Sequence, residues 1–264
     1  MVIHSYLTSG FYKWAELFIK SYRLYHDEKI FLSTRGLDTQ QIQKLQSLPD
    51  VTVSNKELDV KMIANRAKLP VKKILKLKKH IENGAVTKQT FIWKQAISVE
   101  DRYRNSILEA MDEYPEEDFL VHFDIDMYIR KPLNDLFRII KKNDITIKFR
   151  LKSKINRKVM GGLIGFKISE KTRIFMERWI YYIDSKPLYQ KPLGYGQTSF
   201  YLTYCDFKND LSWGNVPSSF ISPRFQETDA IWSGNTKDGK TKNFSVCMND
   251  FQKRRFYETR KKLC

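Results

Sequence analysis

The sequence predicts an α/β fold in which a mostly parallel, Rossmann-like central sheet is flanked by helices. Three observations carry this. Short β-rich runs alternate with helix-periodic stretches from the first residues onward. The 264 residues are 42% hydrophobic and 14% aromatic, enough for one large core and unlike a disordered chain. No internal repeat or linker divides the sequence, so one domain is expected over 1–245, followed by a basic tail at 246–264.

The elements follow in order. VIHSYL (2–7) is a strand, and Ser9-Gly10 is a turn after it. FYKWAELFIKSYRLY places Phe11, Trp14, Leu17, Phe18 and Tyr22 at helical spacing. KIFLSTRG is a second strand. DTQQIQKLQSL is a helix in which Asp38 caps and Gln41 completes a capping box. VTV is a third strand. Residues 66–82 read as a basic helix, which suits a solvated face or an anionic surface. Residues 87–114 read as one long helix or two. FLVHF (119–123) is a central strand aimed at Asp124. KPLNDLFRIIKK is a helix with Pro132 suited to its first turn. DITIKFRL and KVMGGLIGFKI are strands, the second broken at Gly161-Gly162. SEKTRIFMERWIYYID is a helix capped by Ser169, and PLGYGQTSFYLTY is a glycine-rich turn running into a helix. From Asp206 the chain reads as irregular and aromatic, and QKRRFYETRKKLC as a solvated tail.

The stretch FLVHFDIDMYIRKPL holds the most informative residues. Buried carboxylates are costly without a partner, and Asp124 and Asp126 end an apolar strand. In an extended segment, residues two apart face one side, so both carboxylates are expected to face one pocket. Two carboxylates that close repel unless a cation joins them, and oxygen ligands select Mg²⁺ or Mn²⁺. Such an ion leaves coordination positions for substrate phosphates. The plain alternative is that the pair ends a strand or caps the next helix. His122 shares the face of Asp124 and reads as a buried, hydrogen-bonded histidine. Trp93, Trp179 and Trp213 read as core, and Trp232 as core or as a sugar-stacking lid.

The balance of 47 Lys+Arg against 30 Asp+Glu gives a net charge of +17, which favours a polyanionic neighbour. A nucleic-acid-binding protein without catalysis fits the charge. However, no helix-turn-helix, zinc-finger or RNA-binding signature is present. Three cysteines without CxxC spacing argue against a disulfide framework and a zinc site. They fit a reducing compartment. With no signal-peptide pattern and no apolar stretch long enough to span a bilayer, the expectation is an intracellular, soluble protein.

The order of these segments resembles glycosyltransferases of the GT-A fold. VIHSYLTSGFYKWAELFIKSYRLY resembles their opening strand, nucleotide loop and first helix. FLVHFDIDMYIRKPLNDLF resembles their DxD strand and the KPLxxLF that follows it. VMGGLIGFKIS with FMERWI resembles the strand that floors the acceptor site and the helix after it. YGQTSFYL and IWSGNTKDGKTKN resemble two later segments. The similarity is nearest to small sugar transferases of bacteria and of large DNA viruses or phages.

The resemblance implies a single GT-A-like domain that transfers a hexose or deoxyhexose from a nucleotide-sugar, a UDP-sugar first, to a glycan, lipid or protein acceptor. It implies Mn²⁺ or Mg²⁺ as cofactor and no nucleic-acid partner. The cysteine usage and the lack of a signal-peptide pattern point to the cytoplasm, the host's for a viral enzyme, and the basic helix at 66–82 to an acidic acceptor or peripheral contact at an anionic membrane. Asp126 would be the direct metal ligand, and Asp124 would bind the ribose, the metal, or both. Tyr6, Thr8 and Ser9 would line the base pocket. Lys94 would reach the sugar or diphosphate, and Gln197 the donor sugar. Gly161 and Gly162 would admit a sugar close to the backbone, and Lys237 or Lys240 would neutralise the diphosphate.

Two departures stand out. All four histidines precede the DxD, so the C-terminal histidine ligand of the family is missing; either Ser233, Asn235 or Asp238 substitutes, or the metal has only one protein-side anchor. Gly196-Gln197 stands where a carboxylate-Gln pair is frequent. Asp206, Glu227 and Asp229 are the nearest carboxylates to act as base, and the lack of a clear one favours a retaining mechanism.

Overall fold

The computed structural model describes residues 1–56, 72, 106–150, 152–185, 195–222, 229–233 and 240–261. The basic helix expected at 66–82, and Trp93, Lys94, Glu227, Asn235, Lys237 and Asp238, lie outside the described residues, as does the side chain of Lys240.

The first half alternates as expected. Strand β1 (Val2–Thr8) leads to helix α1 (Tyr12–Tyr22), strand β2 (Ile30–Arg35), helix α2 (Thr39–Gln46) and strand β3 (Val51–Asn55). Helix α1 buries Trp14, Leu17, Phe18 and Tyr22, the apolar stripe seen in the sequence. Helix α2 opens with the expected capping box: the Gln41 amide donates to Asp38 Oδ1 at 2.8 Å, and the Asp38 amide donates to Gln41 Oε1 at 3.2 Å.

Helix α3 (Ile107–Glu113) precedes β4 (Phe119–Asp124), which turns into β5 (Met127–Ile129). Helix α4 (Asn134–Ile140) then leads to β6 (Ile145–Phe149), β7 (Val159–Lys167), α5 (Glu170–Asp184) and α6 (Tyr195–Phe207). Strands β8 (Trp213–Asn215), β9 (Ile221–Ser222) and β10 (Ile231–Ser233) and helix α7 (Lys240–Lys261) complete the fold.

The central sheet has seven strands in the order β3-β2-β1-β4-β7-β6-β8. It is parallel except for β7, which runs antiparallel to both neighbours. One face packs Ile3, Leu7, Val121, Phe123 and Leu163 against α1 and α4. The other packs Val2, Leu120, Ile164 and Phe166 with Phe175 and Trp179 of α5.

The structure departs from expectation at four places. Pro132 precedes α4 rather than occupying its first turn, because the next amide, Leu133, donates to His26 Nε2 at 2.8 Å and is held out of the helix. Strand β7 runs unbroken through Gly161-Gly162. The disturbance falls instead on its ladder with β6, where Ile147 pairs with Ile164 but Lys148 pairs with Met160. The stretch after Asp206 supplies a second sheet, β5-β10-β9, in strands too short to show alternation. Residues 246–261 continue helix α7, whose Cys247 and Phe251 pack on Trp14, Leu17, Tyr128 and Trp232.

Helix α7 is also tied by charge. Asp250 accepts from Tyr128 at 2.9 Å and from Arg254 at 2.7 Å, and lies 3.4 Å from Arg130. Burial alone would raise the Asp250 carboxyl. The hydrogen bonds from Arg254 and Tyr128 and the charges of Arg254 and Arg130 hold it below the usual carboxylate range. Trp232 is core, 2% exposed and stacked on Trp14.

Burial holds the pKa of His26 below its ordinary value, against the opposing pull of Glu28 and Asp27. The sign follows from linkage. Below the ordinary histidine pKa, the unfolded chain binds a proton that the native state refuses. Stability from this site is therefore full above that pKa and is lost as pH falls toward the depressed folded value. In urea titrations, His26→Gln is expected to flatten the decline of stability as pH falls below about 6.5. A variant with the wild-type slope would remove His26 from the account.

Candidate active site

The ladders fix which side chains share a face at the carboxyl edge of the sheet. Tyr6 pairs with Asp124 and Ser33, Thr8 with Arg35, and His4 with His122. Alternation therefore puts His4, Tyr6, Thr8, His122, Asp124, Ser33 and Arg35 on one face. The stripe begins deep in the sheet. His4 Nδ1 lies 2.9 Å from His122 Nδ1, and His4 Nε2 lies 3.3 Å from Ser33 Oγ, with both imidazoles fully buried. His122 is thus the buried, hydrogen-bonded histidine expected. Toward the edge the stripe becomes Tyr6, Thr8, Arg35 and Asp124.

Gly162 of β7 completes the Asp124 side. A Cβ there would lie 2.7 Å from Asp124 Oδ2 and 2.8 Å from Met127 Cε. The glycine leaves room that the carboxylate occupies, so its absent side chain is what places Asp124. Asp126 stands in the turn after β4, not in an extended segment. The alternation that would face both carboxylates to one side stops at Asp124, because Ile125 turns into the core at 5% exposure. Both aspartates are half-buried at the edge.

The small sheet brings the C-terminal part of the chain to this turn. Strand β10 runs antiparallel to β5, with Ile231 opposite Ile129, Trp232 opposite Tyr128 and Ser233 opposite Met127. Ser233 is therefore delivered beside the residue that follows Asp126. It is the described member of the three substitutes for the absent histidine ligand.

Other expected residues fall as follows. Thr8 is 6% exposed, and its Oγ1 has no hydrogen-bond partner among the described residues. Ser9 opens the short 3-10 turn after β1. The Gln197 amide, oriented so that its nitrogen meets acceptors, donates to the carbonyls of Asn156 and Val159 at 3.1 Å each. That anchors the entry of β7. Asp206 is engaged by Arg178 at 2.9 Å and Tyr182 at 3.0 Å on the outer side of α5 and α6. Asp229 is buried, with Oδ2 unpartnered among the described residues. It lies four residues before Ser233, at the opposite end of β10 from Met127.

The sequence reading passed over Arg35. It is 2% exposed, its guanidinium is 5.7 Å from the Tyr6 ring centroid, and it sits beside Thr8 at the edge. An arginine that closes a β-rich run just before a glycine was the available signal.

No group of three or more His, Cys, Asp or Glu side chains among the described residues is arranged to hold a metal. The donors present still suit a hard divalent ion bound together with phosphate, since Mg²⁺ is commonly held by one or two carboxylates. Asp124 and Asp126 are the sequence-predicted carboxylates at this edge, and Gly162 leaves room for that of Asp124.

No protein-family model matches the sequence, and no curated protein matches it. Solved structures match the fold. The glycosyltransferase GlyE of Streptococcus pneumoniae TIGR4 superimposes with a TM-score of 0.55 at 11% identity, over 95% of this chain and 59% of GlyE. The galactosyltransferase LgtC, solved in complex with donor and acceptor sugar analogs, gives 0.52 at 9% identity over 96% of both chains. Mouse xyloside xylosyltransferase 1 gives 0.50 at 9% identity, over 90% of this chain and 99% of the enzyme. The chain has the GT-A fold. It spans 59% of the length of GlyE and nearly all of LgtC. Within the GT-A fold, the edge holding Asp124, Gly162, Thr8 and Arg35 is the carboxyl end of the parallel strands, where open α/β sheets take ligands.

Proposed function

We propose that this chain is a divalent-metal-dependent glycosyltransferase using a nucleotide-sugar, with a UDP-sugar as the first candidate and a glycan, lipid or protein acceptor. The observation that carries the reading is the β5–β10 ladder, which returns Ser233 to the turn holding Asp126. The segment that follows the two aspartates and a distant C-terminal segment meet in one ladder. A role as a strand terminator or helix cap asks for no such meeting, and α4 takes its N-cap from Leu133 without a side-chain hydrogen bond.

The division of labour follows from position. Asp124 and Asp126 would hold Mn²⁺ or Mg²⁺, with Ser233 opposite Met127, the residue after Asp126. When bound, the ion stabilises a diphosphate as leaving group. Gly162 keeps the Asp124 carboxylate in place and the backbone open to a sugar. Arg35 lies two strands from Asp124, about 10 Å across the sheet. A donor whose diphosphate lies at Asp124 would bring its nucleoside toward Tyr6, Thr8 and Arg35. The Thr8 hydroxyl then gains a partner, having none among the described residues. Lys94, Lys237 and Lys240 remain candidates for the sugar and the diphosphate.

The acceptor oxygen bonds to the anomeric carbon as the bond from that carbon to the phosphate oxygen breaks. Asp206 is engaged on an outer helix face, Asp229 is at the far end of β10, and Glu227 lies outside the described residues; with no carboxylate base among the described candidates, we assign the acceptor proton to the leaving phosphate. That corresponds to retention of configuration. The nucleic-acid reading draws no support from the solved structures that match.

The test is a panel of nucleotide-sugars with Mn²⁺, read as release of nucleoside diphosphate. One donor is expected to release its diphosphate with metal and not with a chelator. No release from any donor, with or without added glycan acceptors, would overturn the reading.

A further inference from the structure

The connection from β6 to β7 gathers positive charge at the catalytic edge. Lys148, Arg150, Lys152, Lys154, Arg157 and Lys158 fall within eleven consecutive positions that hold no acidic residue. Among the described residues, none of Lys148, Arg150, Lys152, Lys154 and Arg157 is in an ion pair. Elsewhere Lys29, Lys44, Lys56, Arg173 and Arg178 are each matched to a carboxylate, while Lys13, Lys20 and Lys141 are in no ion pair among the described residues. The cations crowd one another. Burial and then the charge of Arg150 lower the pKa of Lys148, against the opposing pull of Asp229, while burial and then the charge of Arg157 lower that of Arg150.

The connection is a built structure. The Arg150 amide donates to the Lys158 carbonyl at 2.6 Å, the Ser153 amide to the Arg150 carbonyl at 2.8 Å, and the Arg157 amide to the Lys154 carbonyl at 2.8 Å. Gln197 grips the carbonyl of Asn156 from α6. Among these cations Ile155 is held outward, 48% exposed. An exposed apolar side chain flanked in sequence by Lys152, Lys154 and Arg157 is the pattern of an interfacial anchor. Its place matters too. Arg150 Nη2 lies 2.6 Å from Met160 Sδ, and Met160 is two residues before Gly162.

We propose that the β6–β7 connection docks on an anionic lipid surface, with Lys152, Lys154 and Arg157 meeting phosphate headgroups and Ile155 entering the interface. The Asp124 edge then opens beside the bilayer, where a lipid-borne acceptor is presented. The docking does not depend on the identity of the donor.

The experiment is co-sedimentation of the full chain with vesicles of phosphatidylcholine alone, or of phosphatidylcholine with phosphatidylglycerol. Wild type is expected to bind the anionic vesicles only. Lys152→Gln, Lys154→Gln and Arg157→Gln together should weaken binding by at least about tenfold, since each cation near the surface contributes separately. The matched control is Lys13→Gln, Lys20→Gln and Lys141→Gln, exposed sites with the same charge change, and it should lose much less. Ile155→Ser, which changes no charge, should weaken binding as well. Thermal unfolding of each variant checks that it folds. Equal loss in the two triple variants would overturn the proposal, as would wild-type binding by Ile155→Ser. So would binding of glucose 6-phosphate without any binding to vesicles, which would assign the cations to a soluble acceptor.

Discussion

Asp126→Asn is expected to keep the thermal unfolding of the ligand-free protein near wild type while lowering turnover roughly a hundred- to a thousandfold, the scale of removing one electrostatic stabiliser. Asp126 is half-buried in a turn. The amide matches the carboxylate in size but carries no charge for a metal. Steady-state rates at saturating donor, with melting curves beside them, check both halves. Full activity in the folded variant would remove Asp126 from the site.

Gly162→Ala and Gly165→Ala are expected to part company. A Cβ on Gly162 would meet the ends of two side chains, Asp124 Oδ2 at 2.7 Å and Met127 Cε at 2.8 Å. Those ends can move, so stability changes little, but the Asp124 carboxylate is displaced. A misplacement on the order of 1 Å costs about a hundredfold in rate. A Cβ on Gly165 would meet Ile140 Cγ2 at 2.8 Å and Cγ1 at 2.9 Å, inside the core. That overpacking costs about 1–3 kcal/mol of stability. It leaves the edge alone, so kcat should hold below the melting transition. Comparing kcat and Tm for the two variants separates a glycine that makes room for chemistry from one that makes room for packing. Equal effects on both quantities would contradict the placement of Gly162.

Most of the frame was legible in the sequence because its signals are local. The apolar stripe of α1, the Asp38–Gln41 box, and the run FLVHF ending at an aspartate each sit within a few residues of what they specify. The resemblance carried the order of the parts further than any one motif did. What could not be read depends on distant contacts. Pro132 is excluded from α4 by His26, more than a hundred positions away in the chain. The β5–β10–β9 sheet is made of strands of two or three residues, too short for alternation to show. The same-side argument for Asp124 and Asp126 assumed an extended segment, but Ile125 finds a place in the core and turns the chain. Arg35 gained meaning only when the register set it beside Thr8. The Gly161-Gly162 pair lies where the ladder with β6 shifts register, while its own strand runs on.

The most direct measurement is thermal unfolding with UDP, GDP, CDP and dTDP, each with and without Mn²⁺, on wild type and Asp126→Asn. A ligand at a hundred times its Kd adds about 2.7 kcal/mol of stability, a visible shift. One diphosphate, with UDP foremost, is expected to raise the melting temperature of the wild type only when Mn²⁺ is present, and to leave Asp126→Asn unmoved. A shift of the same size without metal or in the variant, or no shift with any of the four, would contradict a metal–diphosphate site at Asp124 and Asp126.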